Sequence, residues 1–426
     1  MSTGARDGVG SETKPLISNA AYGWVIVGLT FLSTALVLGS RFSIGIFLPY
    51  LPDAFDSSAA AVSGALAIPM LGAAVLQPAI GVLLDKWGGR VVLSLGLACG
   101  GLALTGTALS GALWQLILFM GIGCSVAYAA VSPVSATSIV ASWFDKHRGA
   151  ALGVATAGTK VAMVVLPPLF AAMIVVFDWR TTMLAFGLVT LLLIPAVFFL
   201  LKPAPGSKPA RGAAAAPDED ALAAPAAPVD GITLRAAFAV PAFWLIAISL
   251  FANGLIMNLV FIHLPNFVLS QGYDESLASL GLSALAGVGI LGTVVTGALS
   301  DRMGRRNVLL VMFGARGVTA LAVILAPGPV SLAAFVIVFG LLGYGAIGVI
   351  GAQASELFGK RAIGAILGSA YVFNQVGGAV GVYAGGASLE WTGDYSASLW
   401  VAVITTLLSF ACILMLPRDR RRADAL

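Results

Sequence analysis

Three basic residues, Arg41, Lys160 and Arg316, stand inside long apolar stretches of this 426-residue sequence, while none of its 19 acidic residues falls mid-stretch. Ionisable groups at hydrocarbon depth are costly and mark functional sites by default. A buried cation with no carboxylate beside it invites an anion from outside the chain. The chemistry on offer is capture of an organic carboxylate, gripped bidentately by a guanidinium or met as a point charge by an ammonium. Lys160 lies about ten residues into its stretch, roughly 15 Å deep at 1.5 Å per helical residue. The small residues Ala155, Thr156, Ala157, Gly158 and Thr159 precede it and leave room for a ligand or a helix. His263 is the one side chain in these stretches that titrates near neutrality, which makes it a candidate proton carrier or site group.

Other chemistries find no support. Cys99, Cys124 and Cys412 all sit in apolar runs, so neither a disulfide framework nor a zinc site is expected. Gly287, Gly289 and Gly292 have the spacing of a dinucleotide-binding loop but lie inside an apolar run with no strand before them. They read as helix-packing glycines. No catalytic residue, cofactor, metal or nucleic-acid partner is expected, and the chain is not read as an enzyme.

The elements that must position these residues are membrane helices. The sequence is 59% hydrophobic and 10% charged, with a mean hydropathy of +0.99. A soluble domain carries about a quarter charged residues to hydrate its surface, which excludes a soluble enzyme. A spanning helix needs about 20 apolar residues. That window predicts spans at 22–50, 58–84, 90–110, 113–142, 150–176, 179–202, 242–270, 275–299, 306–326, 329–357, 362–387 and 394–416. These group into a tail (1–21), a six-helix bundle (22–202), a linker (203–241), a second bundle (242–416) and a tail (417–426). The first tail is polar and lacks a cleavable-signal pattern, so the first apolar run reads as the first span. Residues 203–230 form an Ala/Pro tract unable to bury a face, and 232–240 read as a short interfacial helix.

Charge placement orients the chain. With both termini cytoplasmic, 19 of the 23 Lys and Arg fall in cytoplasmic segments and only Arg180 falls outside, where Asp53, Asp56, Asp274, Glu275, Glu390 and Asp394 gather. That is the positive-inside pattern, and the basic tail Arg418–Arg422 adds to it beside the membrane lipids. The halves repeat at an offset of 216 residues: Gly81, Asp85, Gly88 and Arg90 return as Gly297, Asp301, Gly304 and Arg306, and Tyr128 returns as Tyr344. A parallel repeat of six spans about a linker is the plan of a rocking carrier with a midplane site. Asp85 and Asp301, set beside Lys86, Arg90, Arg302, Arg305 and Arg306, are expected to latch the cytoplasmic side shut. Asn374 and Gln375 follow Lys160 by 214 and 215 residues and are its polar mirror image.

The duplicated Gly-x-x-x-Asp-(Lys/Arg)-x-Gly-(Gly/Arg)-Arg motif, at 81–90 and 297–306, resembles the cytoplasmic signature of the major facilitator superfamily. Tyr22-Gly23-Trp24, the run Trp143–Gly149, and Ala151-Leu152-Gly153 with Ala157-Gly158 resemble, more closely, the monocarboxylate transporters and bacterial oxalate/formate antiporters. The resemblance implies an all-α membrane protein of twelve helices in two pseudo-symmetric bundles. It also implies a bacterial inner-membrane carrier, working as a monomer, that moves a small mono- or dicarboxylate by anion exchange or proton symport. It places Arg41 near a span-1 lysine of the monocarboxylate transporters, turns Tyr128 and Tyr344 toward a central cavity, and makes Arg316 a structural residue. The family's Asp/Arg pair on the eighth span is missing, since that stretch reads Gly289–Val295, which argues against proton coupling through a membrane carboxylate. A transporter-like sensor and an exporter of drug-like anions are the alternatives.

Overall fold

The computed structural model describes residues 19–144, 148–202, 231–359 and 362–417. Twelve helices in it are long and apolar enough to cross a membrane. In chain order, spans 1 to 6 are Ala21–Ile46, Ala59–Leu84, Lys86–Ala108, Leu113–Val140, Ala151–Phe177 and Trp179–Leu200. Spans 7 to 12 are Pro241–Ser270, Glu275–Ser300, Arg305–Leu325, Pro329–Phe358, Ala365–Thr392 and Ser396–Met415. A short helix, Leu234–Ala239, capped by Thr233 accepting the Ala236 N–H, leads into span 7. The expected Ala/Pro linker at 203–230 lies outside the described residues.

Local chemistry explains the breaks. Spans 2 and 3 are one helical run bent at Gly88, where φ is 78°, and Gly304 between spans 8 and 9 has φ 83°. A side chain at positive φ is strained, so both copies of the motif need glycine there. Asp274 caps span 8 by accepting the Leu277 N–H at 2.8 Å. Buried serines and threonines return their protons to carbonyls one turn back, as Thr30 does to Ile26 and Thr190 to Phe186. That pairing satisfies those hydroxyls in an apolar setting, while Ser63, Ser94, Thr107, Ser283 and Ser409 are buried without a partner.

Close pairs of helices recur in the two halves. A Cβ on Gly158 would meet the Phe31 carbonyl, binding span 5 to span 1. Cβ atoms on Gly254, Gly377 and Gly381 would meet carbonyls across the contact of spans 7 and 11. Small residues of this sort let backbones approach where lipid gives no hydrophobic drive to associate. Span 7 is the most enclosed span, 78% buried, whereas span 6 is 28% buried and faces outward.

The hydrophobic core is distributed unevenly along the membrane normal. One cluster draws on both halves, joining Phe47, Leu51 and Phe170 to Phe261, Leu264 and Leu285. At the other end, where Lys86, Arg90, Arg302 and Arg305 lie, the clusters are separate. One holds Phe243, Phe313 and Phe358 of the second half; others hold Ile26, Leu93 and Val140 of the first. Among the described residues, the bundles thus share one cluster at the acidic end and have separate clusters at the basic end.

Candidate functional site

Arg41 and Lys160 both meet aromatic faces where an acid is absent. The Arg41 Cζ lies 5.2 Å from the ring centre of Tyr128 on span 4 and 5.3 Å from that of Phe42. Its Nε is buried with no hydrogen-bond partner. Lys160 Nζ sits 3.7 Å over the ring of Tyr344 on span 10, reaching across from the first half to the second. Phe42 packs on Phe261 at 5.3 Å and Phe261 on Tyr344 at 5.5 Å, so an aromatic band joins the two cations. Among the described residues the one ion pair is Arg305–Glu356, far off at the basic end. A cation over a ring gains about 0.5–2 kcal/mol. Desolvating it costs several. The rings ease the deficit without closing it.

Tyr128 sits in a span with irregular geometry. Span 4 runs through a π-helical stretch, Ile117–Gly123, then Cys124–Ala130, and breaks at Val131 before Pro133–Ala141. Pro133 has no N–H to give the turn behind it, and Ser132 caps the new helix by accepting the Ser135 N–H at 3.2 Å. Span 10 carries Tyr344 between Pro329–Gly343 and Gly345–Phe358 with helical backbone, φ −70° and ψ −36°. There a Cβ on Gly292 would meet the Leu341 carbonyl and one on Gly345 would meet Thr296. The sequence expectation turned both tyrosines toward a central cavity. In the structure their rings face the cations, and the Tyr344 O–H donates to Met163 Sδ at 3.5 Å.

The remaining candidates divide. His263 is 3% exposed and stands apart from the two cations. Its Nε2 pairs with the Val382 carbonyl at 2.8 Å and its Nδ1 with the Tyr395 hydroxyl at 3.4 Å. It borders a cavity of about 180 Å³ at the acidic end, with Ser63, Asn266 and Tyr395. Asn374 donates to the Leu250 carbonyl at 2.8 Å and ties span 11 to span 7, with Gln375 buried beside it. Arg316 is fully buried, donates to Asn253 Oδ1 at 3.0 Å, lies over Phe339 at 5.0 Å and leaves its Nε and one Nη buried without a partner.

The two ends differ in their contacts. At the acidic end the Tyr50 hydroxyl donates to Glu275 at 2.5 Å, and Glu390 accepts the Ala60 N–H at 3.3 Å; both bonds cross between halves. Burial, with the Glu275 carboxylate in second place, pushes the Tyr50 phenol well above its ordinary value. Hydrogen bonds from the Ser396 hydroxyl and N–H, then Thr392, hold the Asp394 carboxyl below its usual range. At the basic end the partners, among the described residues, stay within one half. Arg305 pairs with Glu356 and the Ala352 carbonyl, Arg306 donates to the Ile413 and Leu414 carbonyls, and Arg90 lies over Phe198. Lys86 and Arg302 are exposed there, and a cleft of about 470 Å³ opens beside Ser300, Arg305, Gln353 and Glu356. The side chains of Asp85 and Asp301 lie outside the described residues.

Sequence reasoning missed Phe42 and Phe261, whose rings join the cations, and Tyr371 on span 11, within electrostatic reach of Arg41. Phe42 adjoins Arg41 in the chain, a signal that was available. Nothing in the sequence brings Phe261 to it.

Residues 30–382 and 291–425 match the sequence profile of the Major Facilitator Superfamily, and the chain belongs to that family of membrane transporters. It is 23% identical to an uncharacterized MFS-type transporter, YcxA, of Bacillus subtilis (strain 168), over 94% of this chain and 96% of that protein. It is 29% identical to monocarboxylate transporter 11 of Mus musculus, over 94% and 88% of the two chains. A bacterial homolog of the human lysosomal transporter Spinster, solved inward-facing and occupied, shares the fold with a TM-score of 0.68 at 16% identity. That match covers 94% of this chain and 95% of the solved one.

Proposed function

We propose that the protein carries a small organic anion, a mono- or dicarboxylate, across a bacterial inner membrane by alternating access. The observation that carries this reading is the pair of intramembrane cations, Arg41 and Lys160, seated on aromatic rings with no acid in contact among the described residues. An incoming carboxylate supplies the missing charge, and loading removes a desolvation cost that the empty site bears. The similarity to monocarboxylate transporters supports the same substrate class.

With the basic end cytoplasmic, as the loop charges argue, the conformation described is closed outside and open inside. Lys160 on Tyr344 bridges the halves, so an anion drawn between them bears on both at once. Exchange of one anion for another is the mode we favour over proton symport. No membrane carboxylate stands at mid-depth, and His263 spends both ring nitrogens on Val382 and Tyr395. The carrier works as a monomer. The test is counterflow in proteoliposomes preloaded with unlabelled carboxylates, with the proton gradient collapsed by an ionophore. Accumulation of labelled carboxylate is expected to persist; if uptake follows only an imposed pH gradient, exchange is the wrong mode.

A further inference from the structure

The anion reading leaves open what the rest of the substrate looks like, and the aromatic band bears on that. Phe42 and Tyr344 are partly exposed, and each is in contact with a site cation as well as with Phe261 between them. The cations therefore sit against two partly exposed rings, with the buried Phe261 packed between those rings.

Several hydroxyls of spans 1 and 5 have little to offer a polar substrate. Thr34 donates to the Phe31 carbonyl at 2.9 Å, Ser40 to Val37 at 2.9 Å and Thr156 to Leu152 at 2.9 Å. Their protons are committed to the main chain. A sugar acid or a hydroxy acid entering here would shed water from its hydroxyls and meet chiefly ring faces in exchange. Burying a polar group without a new hydrogen bond is unfavourable. A flat apolar body gains contact with the same rings, and aromatic pairs add to plain burial. The side of the site that does not bind charge is thus suited to carbon.

We infer that Phe42 and Tyr344, backed by the buried Phe261, are specificity-determining residues that select carboxylates bearing an aryl or comparably flat apolar body over compact or hydroxylated acids. The inference rests on the anion reading above, and the experiment separates the two. Binding to the purified, detergent-solubilised full-length protein is measured by isothermal titration calorimetry. Binding is preferred to flux because protonated aromatic acids cross bilayers unaided.

The probes are phenylacetate, benzoate, lactate, oxalate and gluconate, with uncharged benzamide as control. Phenylacetate and benzoate are expected to bind about tenfold or more tightly than lactate, oxalate or gluconate, and benzamide not to bind measurably. Phe42→Leu and Tyr344→Leu are expected to weaken phenylacetate by about 3- to 10-fold, the worth of an aromatic contact. They should leave the thermal midpoint of the folded protein nearly unchanged; the wild-type ranking stands on its own if either variant fails to fold. If lactate or oxalate binds as well as phenylacetate, and does so through Lys160, the selectivity inference is overturned while the anion reading stands. If benzamide matches benzoate, or none of the acids binds, the anion reading falls and takes this inference with it.

Discussion

At the scale of single residues, charge inside the membrane was legible and its surroundings were not. Arg41, Lys160 and Arg316 are conspicuous in any hydropathy reading, because the chain has no acid at similar depth to offset them. The structure separates them by company: two share the aromatic band between the halves, and Arg316 is sealed inside the second bundle against Asn253 and Phe339. Removing Arg316 strands the Asn253 amide, a cost of about 1–3 kcal/mol for a buried polar group. Arg316→Gln is therefore expected to lower the thermal midpoint while leaving carboxylate affinity within about twofold, as ligand-binding differences under 0.4 kcal/mol would. Calorimetric titration of the folded variant checks this, and a lost affinity at normal stability would move Arg316 into the site. Lys160→Arg keeps the charge but replaces a compact ammonium with a planar fork. It is expected to bind carboxylate about tenfold more weakly rather than not at all.

At the scale of helices, the twelve spans follow from apolar runs of sufficient length, and the glycines of the duplicated motif follow from backbone geometry. Gly88 and Gly304 occupy positive φ at equivalent turns, which no sequence-independent feature of a loop requires. Gly88→Ala and Gly304→Ala are each expected to cost about 1–2 kcal/mol from backbone strain. Thermal denaturation in detergent measures it; an unchanged midpoint in both variants would mean that the turn is not held in this conformation. The break within span 4 is signalled by Pro133, but the close crossing of spans 8 and 10 through Gly292 and Gly345 comes from tertiary contact and leaves no periodic trace in the sequence. The same holds for His263, a candidate by its titration range alone, whose partners Val382 and Tyr395 come from more than a hundred residues away.

At the scale of the whole molecule, the repeat and the charge asymmetry indicated two bundles about a central site, but not the state in which they are found. The uneven core supplies it: one cluster spans both halves at the acidic end, and separate clusters serve each half at the basic end. The crossing bonds from Tyr50 to Glu275 and from Ala60 to Glu390 lie on the closed side. Charge-assisted hydrogen bonds are stronger than neutral ones. Glu275→Gln is accordingly expected to shift the population toward an opening at the acidic end, read as faster labelling of a cysteine placed at Ser63 from the outer face. No change in labelling would show that apolar packing alone closes that end.

The central claim is that Arg41 and Lys160 neutralise the transported anion. It is tested most directly by carboxylate binding to purified, folded Arg41→Ala and Lys160→Ala, with Arg316→Gln measured beside them. The account predicts that each of the first two loses binding by about a hundredfold or more, as removal of a charged partner worth about 3 kcal/mol implies, while the third retains it. Wild-type affinity in both alanine variants, with binding lost in Arg316→Gln, would contradict it and place the site inside the second bundle.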